Sequence, residues 1–418
     1  MQRYLGTLGF LFGVAIFFLF PQDGCSEDIK VGVIFSLSGP GAQPGNECLQ
    51  GVELAAEVQN EKGGIGGNKI KLVVADAPDP KAAAGEAERL ITLENTKIIL
   101  GTYSTSLSVA ASEMTNRYQV PHFELTAISD PITEKGYKYL WRICCRGSDF
   151  ARMVVDFTKE VTASKLGMSP EKLRIAIVAE DSLYGTTILN FLDEFMPPAK
   201  LTNIVAKERY SAKAVDLSPL ILKIKTARPD VMLVASYTTD GILMLRQAKE
   251  LGLNVKAWHG FGAGYGDAVF GEALGKDSDY ILNVGYCPPN YVNKSAVPGL
   301  EDLVKRFERK YGKPLLSVYP AATYMGAMAV FDVIRRAGSL DREAIAKAAW
   351  ETDIPEWSTT SGWGVRFFGP GKPHPGQNAR SFAYVLQWKD KKYQVIWPAK
   401  AKYADPALPM PTWEEKAK

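Results

Sequence analysis

Short apolar strands that alternate with amphipathic helices dominate this sequence and restrict it to an α/β fold. The first unit runs from Ile29 to Ile65. Ile29 to Phe35 is a β-branched, nearly continuous apolar run, as expected of a strand covered on both faces in a parallel sheet. A loop rich in Ser, Gly and Pro follows. An amphipathic helix then places Leu49, Val52, Ala55, Ala56 and Gln59 on one face. The loop lies at the strand's carboxyl end, where open α/β sheets put their ligands. The helix behind it points free N–H groups at the same place.

The pattern repeats. Ile70 to Ala75, Ile98 to Leu100, Val120 to Phe123 and Tyr139 to Ile143 read as strands, with helices at Ala82 to Glu94 and Leu107 to Tyr118. A second series has strands at Arg174 to Ala179, Leu201 to Tyr210, Asp230 to Ala235 and Lys256 to His259. Ile281 to Tyr286 is expected to be a strand that returns to the first lobe. Helices follow at Leu300 to Tyr311, Ala321 to Ala337 and Arg342 to Trp350, then a hairpin from Phe382 to Trp397. Alternation of this kind implies βαβ units with right-handed crossovers. The chain of 418 residues is too long for one ordinary core and suits two lobes. The expected division is 27–146 with 282–352 as lobe 1, 147–281 with 353–400 as lobe 2, and a loosely held, Pro-rich tail at 401–418.

Net charge is +3, from 49 basic and 46 acidic residues, which leaves no footprint for nucleic acid or an anionic membrane surface. Residues 1–26 have the organisation of a secretory signal peptide: Arg3, an apolar run from Leu8 to Phe20, then Pro21 to Ser26. That run is shorter than the ~20 residues of a spanning helix. Export with cleavage before Glu27 is expected, and lipid anchoring through Cys25 is the alternative. Four other cysteines remain: Cys48, Cys144, Cys145 and Cys287. Export permits disulfides. A bond from Cys144 or Cys145 to Cys287 and buried free thiols are both compatible with the spacing.

The catalytic motifs are absent: no Gly-x-Ser-x-Gly elbow, no phosphate-binding Gly-x-x-x-x-Gly-Lys-Ser/Thr loop and no His-Glu-x-x-His. There is no Cys-x-x-Cys pair, and His122, His259 and His374 lie far apart in sequence, so no metal and no cofactor is expected. What remains is a set of strand-end loops bearing small hydroxyls and aromatics. Ser104 and Thr105, with the N–H groups of the following helix, suit a carboxylate. Thr126, Ala127 and Ser129 offer the same from the next strand. Tyr184 and Tyr237, in the second lobe, suit the ligand's apolar part. This is the chemistry of binding rather than turnover.

These residues carry a family resemblance. Leu37-Ser38-Gly39-Pro40, Gly51 to Ala56, Asn60 to Gly67, Asp76 to Pro80, Gly101 to Ser112, Trp141-Arg142, Asp181 with Tyr184-Gly185, and Tyr319 to Ala329 resemble the periplasmic binding proteins of the branched-chain amino acid (leucine-binding protein) ABC transporter type. The resemblance covers Ile29 to about Trp397. It implies the type I fold, two Rossmann-like lobes with parallel sheets joined by three hinge crossovers. It also implies hinge closure on a small ligand, no enzymatic activity, a periplasmic location and delivery, as a monomer, to an ABC transporter membrane permease. Ser104 and Thr105 match the segment that holds an amino acid's carboxylate. Thr126 and Ala127 match the next contact, and Tyr184 and Tyr237 the aromatics of the second lobe.

The departures bear on the ligand. Gly262 stands where the amino acid binders present an acid to the ammonium, Ile128 replaces a hydroxyl residue, and Pro44 replaces an aromatic. A buried ammonium without a partner is costly. Glu124 is a candidate replacement acid, with Asp181 and Asp240 behind it. The expected ligand is therefore amino acid-like or a carboxylate, with amides, urea and aromatic acids as alternatives. A sensor that uses the same lobes to signal to a membrane receptor is the rival from another class.

Overall fold

The computed structural model describes residues 28–417, so the expected signal segment and Cys25 lie outside the described residues. The first layer is built by β1 (Ile29–Phe35), α1 (Ala42–Glu61), β2 (Ile70–Asp76), α2 (Pro80–Thr92), β3 (Ile99–Gly101), α3 (Thr105–Arg117), β4 (His122–Glu124), α4 (Pro131–Glu134) and β5 (Leu140–Arg142). The second follows with α5 (Gly147–Phe157), α6 (Ala163–Lys165), β6 (Ile175–Glu180), α7 (Leu183–Phe195), β7 (Ile204–Tyr210), α8 (Ser218–Ala227), β8 (Val231–Ala235), α9 (Thr238–Glu250), β9 (Ala257–Phe261), α10 (Ala268–Leu274) and β10 (Leu282–Gly285). The chain then returns through α11 (Leu300–Tyr311), α12 (Tyr319–Ala337) and α13 (Arg342–Trp350). It ends with β11 (Tyr384–Lys389), β12 (Lys392–Trp397) and the short α14 (Trp413–Lys416).

Two sheets result. One has the order β2-β1-β3-β4-β5 and is parallel throughout. The other has the order β12-β11-β10-β9-β8-β6-β7 and is mixed, because β11 runs antiparallel to both β10 and β12. Six of the seven residues of β1 are buried, as its continuous apolar run demands. The loop after β1 is fixed by the Asp76 carboxylate, which accepts from the N–H groups of Leu37 (2.8 Å) and Ser38 (3.1 Å). Asp79 caps α2 by accepting from Ala82 N–H at 2.8 Å, with Pro80 in the first turn, where a missing N–H costs nothing. Helices α1 and α12 pack closely because Gly51 has no side chain. A Cβ there would lie 2.2 Å from Thr323 Oγ1 and 2.3 Å from Pro320 O.

Three placements differ from the sequence reading. The strand expected to return to the first lobe is β10, and it pairs with β9 and β11 in the second sheet. The passage back therefore follows Gly285 rather than preceding Leu282. The segment assigned to lobe 2 from residue 353 lies partly on the first sheet. Gln377 forms a bridge with Arg142 of β5, and Phe367 packs on Phe123 at 6.4 Å. Only the hairpin belongs to the second sheet. The tail is docked, not loose. Trp413 is buried and donates to Leu253 O at 2.8 Å, Met410 N–H donates to Lys256 O at 2.7 Å, and Gln387 and Ala407 exchange two bonds. Its few apolar side chains supply the contact area that its proline content concealed.

The chain thus passes between the sheets three times: after β5, after β10 and before β11. Cys48, Cys144, Cys145 and Cys287 are all buried free thiols, so the second of the two cysteine alternatives holds. Burial pushes the Cys144 and Cys287 thiols up to about 12, which keeps them protonated and unreactive. Among the described residues no helix is long and apolar enough to cross a membrane.

Candidate ligand site between the lobes

The carboxyl ends of the two sheets face each other across a narrow cavity whose non-atom space, open solvent included, is about 490 Å³. Loops after β3 and β4 form one wall, and loops after β6, β8 and β9 form the other, so the strand-end loops singled out in the sequence converge. Ser104, Thr105, Thr126, Tyr184, Tyr237 and Gly262 all line the cavity. Ala127 and Glu124 do not.

Ser104 is the N-cap of α3, its side chain makes no capping bond, and with Thr105 it places the start of that helix in the cavity lining. A helix start of this kind favours an anion. The Thr126 hydroxyl is held in place, donating to Thr102 O at 2.8 Å. Opposite, the Tyr184 hydroxyl donates to Phe261 O, and its ring packs on Tyr237 with centroids 5.3 Å apart.

Glu124 has a different role from the one expected. It is fully buried at the end of β4. Its Oε2 accepts from Thr102 N–H (2.7 Å) and Thr102 Oγ1 (3.1 Å), and its Oε1 accepts from the N–H groups of Thr126 and Ala127 (2.9 Å each). Four donors tie this carboxylate to the two loops that form the first wall, so no lone acid faces the ligand. The other proposed acids are also elsewhere. Asp181 is exposed. Asp240 is buried behind the wall, accepts from the Tyr210 hydroxyl, and is pushed up to about 6 mainly by burial.

A side chain at Gly262 would be strained with the backbone and Phe150 placed as they are. Its φ is +67°, in the region that favours glycine, and an added Cβ would sit 2.6 Å from a ring carbon of Phe150. Phe150 occupies the space a side chain would need. Its neighbour Asn283, on β10, accepts from Gly262 N–H at 2.8 Å and donates to the Tyr393 hydroxyl at 2.5 Å.

Six tyrosines line the cavity, and none of its lining residues is charged. Sequence reasoning missed four of these tyrosines: Tyr103, Tyr286, Tyr319 and Tyr393. It also missed Phe150, Asn283 and Val318. Tyr103 adjoins Ser104, and Asn283 is a polar residue inside an apolar strand, so both left a trace. Tyr393 left none, because its hairpin follows β10 by about a hundred residues. Tyr286 bridges the walls, donating to Thr126 O at 2.7 Å. Ser129 and Thr187 also meet across the lobes at 2.6 Å. Tyr103 and Tyr319 form an edge-to-face pair at 5.3 Å. Away from the cavity, Asp130, Glu134 and His374 bring ligating atoms within 4.8 Å of one another, the one such trio among the described residues.

The sequence profile of a family described as periplasmic binding protein matches residues 28–393. A Leu/Ile/Val-binding protein homolog from Brucella abortus is 37% identical over 387 residues, covering 92% of this chain and 95% of its own. A second homolog from the same organism is 36% identical over 90% of this chain and 92% of its own. Among solved structures, a branched-chain amino acid transporter substrate-binding protein from Streptococcus pneumoniae, in complex with isoleucine, superposes with TM-score 0.75 at 21% identity over 89% of this chain and all of its own. An extracellular ligand-binding receptor from Rhodopseudomonas palustris does so with TM-score 0.73 at 26% identity, over 89% of this chain and all of its own.

Proposed function

Because this chain belongs to the periplasmic binding protein family, we propose that it is an exported solute-binding protein of an ABC importer that closes on a small carboxylate lacking an ammonium group. One observation carries the ligand reading. The cavity combines the hydroxyl-bearing start of α3 with a wall of tyrosines and holds no charged side chain. The helix start neutralises a carboxylate through N–H and O–H donors. Tyrosine rings cover a planar or branched apolar body, and their edges accept it without polar loss. An ammonium would enter this cavity without a carboxylate to meet it, at a desolvation cost that weakens amino acids relative to their deaminated analogues. The relatives named for leucine, isoleucine and valine support the size of the ligand.

In this reading Ser104 and Thr105 bind the carboxylate. Thr126 lines the wall that Glu124 shapes from behind through the N–H groups of Thr126 and Ala127, and Tyr184 and Tyr237 cover the ligand from the second lobe. Gly262 leaves room for Phe150. The three passages between the sheets serve as the hinge. The protein acts in the periplasm as a monomer and hands its cargo to a membrane permease. The division into lobe 1 and lobe 2 follows the two sheets.

A thermal-shift screen of the purified protein tests this. It compares branched-chain amino acids, their 2-oxo analogues, aromatic acids, amides and urea. A ligand at about 100 times its dissociation constant adds about 2.7 kcal/mol of stability. Carboxylates without an amino group are expected to raise the midpoint, and amides and urea are not. A shift by urea or amides alone removes the carboxylate from the account.

A further inference from the structure

Asn283 and Tyr393 form a polar corner of the ligand cavity that a bound carboxylate at the start of α3 leaves unused. Asn283 sits on β10 and is fully buried. Its Oδ1 accepts from Gly262 N–H at 2.8 Å. A backbone N–H can only donate, so this bond fixes which end of the amide is the oxygen. The Nδ2 end therefore faces the Tyr393 hydroxyl, at 2.5 Å, and donates to it. In that bond the phenolic oxygen is the acceptor, and its own proton is left over. Among the described residues no acceptor meets that proton. Burial raises the phenol above its ordinary value, so the proton stays on the oxygen.

The hydroxyl end of Tyr393 lies among residues of the cavity wall. Gly266, Gly285 and Val318 line the cavity with it, and a Cβ at Gly266 or at Gly285 would stand 3.5 Å from the hydroxyl oxygen. The two glycines thus keep space open beside that oxygen. Tyr393 is 4% exposed, and its ring is stacked on Trp388 with centroids 4.8 Å apart, which holds the hydroxyl away from bulk water. Neighbouring tyrosines have their protons placed already: Tyr184 donates to Phe261 O and Tyr286 to Thr126 O. A buried donor without an acceptor carries a desolvation cost that a ligand oxygen removes.

We infer that the Tyr393 hydroxyl, positioned by Asn283, donates to a second oxygen of the ligand, so that the cargo is a monocarboxylate that also bears an uncharged carbonyl group. The inference rests on the carboxylate reading and narrows it. The start of α3 takes the carboxylate, and Tyr393 takes the carbonyl. A second carboxylate would enter a cavity with no cation in its lining, which is costly. An ammonium would place its own donors against this one. A carbonyl accepts without bringing charge.

Isothermal titration of the purified protein with two matched pairs of acids tests this: 4-methyl-2-oxopentanoate against 4-methylpentanoate, and 4-oxopentanoate against pentanoate. Within each pair only the carbonyl differs. The wild type is expected to bind the oxo acid of at least one pair about tenfold more tightly than its counterpart. Tyr393→Phe keeps the ring and its stacking and should bring that ratio to about one. A merely structural role would lower both affinities together and preserve the ratio. Asn283→Asp is the second variant. Its carboxylate can accept from both Gly262 N–H and the Tyr393 hydroxyl, so it takes up the spare proton. The same ratio should then vanish, even as the added charge weakens both acids. A wild type that binds the members of both pairs equally, or a ratio that survives in Tyr393→Phe, would overturn the inference and leave the carboxylate reading standing. Binding of none of the four acids would overturn both. If Tyr393→Phe fails to fold, Asn283→Asp still gives the comparison.

Discussion

Glu124 illustrates how a residue's role is set by its neighbours rather than its type. As a carboxylate in a strand-end loop it reads as a partner for a ligand ammonium, but four donors from Thr102, Thr126 and Ala127 surround it. Glu124→Gln replaces two acceptor positions with donors that face other donors. About 2–3 kcal/mol of stability should be lost, and chemical denaturation with and without ligand should show the same loss. Ser104→Ala and Thr105→Val should behave in the opposite way. Folding stability stays close to wild type, and affinity for a carboxylate falls about tenfold for each, as calorimetry would read it. At Gly262, aspartate meets both a positive φ and Phe150. Gly262→Asp should therefore destabilise the protein by at least about 1–3 kcal/mol and should not create an amino acid site.

At the level of elements, the strands and helices were legible because the apolar runs and their periods are long and clean. The β1-to-α1 unit and the strand-end positions of Ser104, Thr126, Tyr184 and Tyr237 follow from local pattern alone. Pairing partners are not local. Leu282 to Gly285 has the same apolar character in either sheet, and only its register with β9 and β11 decides its place. The same holds for Tyr393, which reaches the cavity through a hairpin paired far from it in sequence. The tail misled for a different reason. Proline and charge dominate residues 401–418, while the anchoring falls to Met410 and Trp413. Trp413→Ala should cost about 3–5 kcal/mol, and a lowered thermal midpoint with unchanged ligand affinity would place its role in the second lobe's stability alone.

Across the whole molecule, two sheets and three chain passages set a cavity between loops that belong to separate lobes. The fold family was legible from the order of strands, loops and helices, since that order is a property of the entire chain. The site was legible on the side chains that border recognisable turns. It was not legible where charge is absent, because an uncharged wall of tyrosines leaves no motif. That wall leads to the central claim, that the protein selects against the ammonium group. Isothermal titration of the purified protein with leucine and with its deaminated analogue, 4-methyl-2-oxopentanoate, tests it most directly, because the two differ mainly in that group. The 2-oxo acid is predicted to bind at least about tenfold more tightly, a difference of 1.4 kcal/mol or more. Tighter binding of leucine would contradict the account and would require an acid within reach of the cavity.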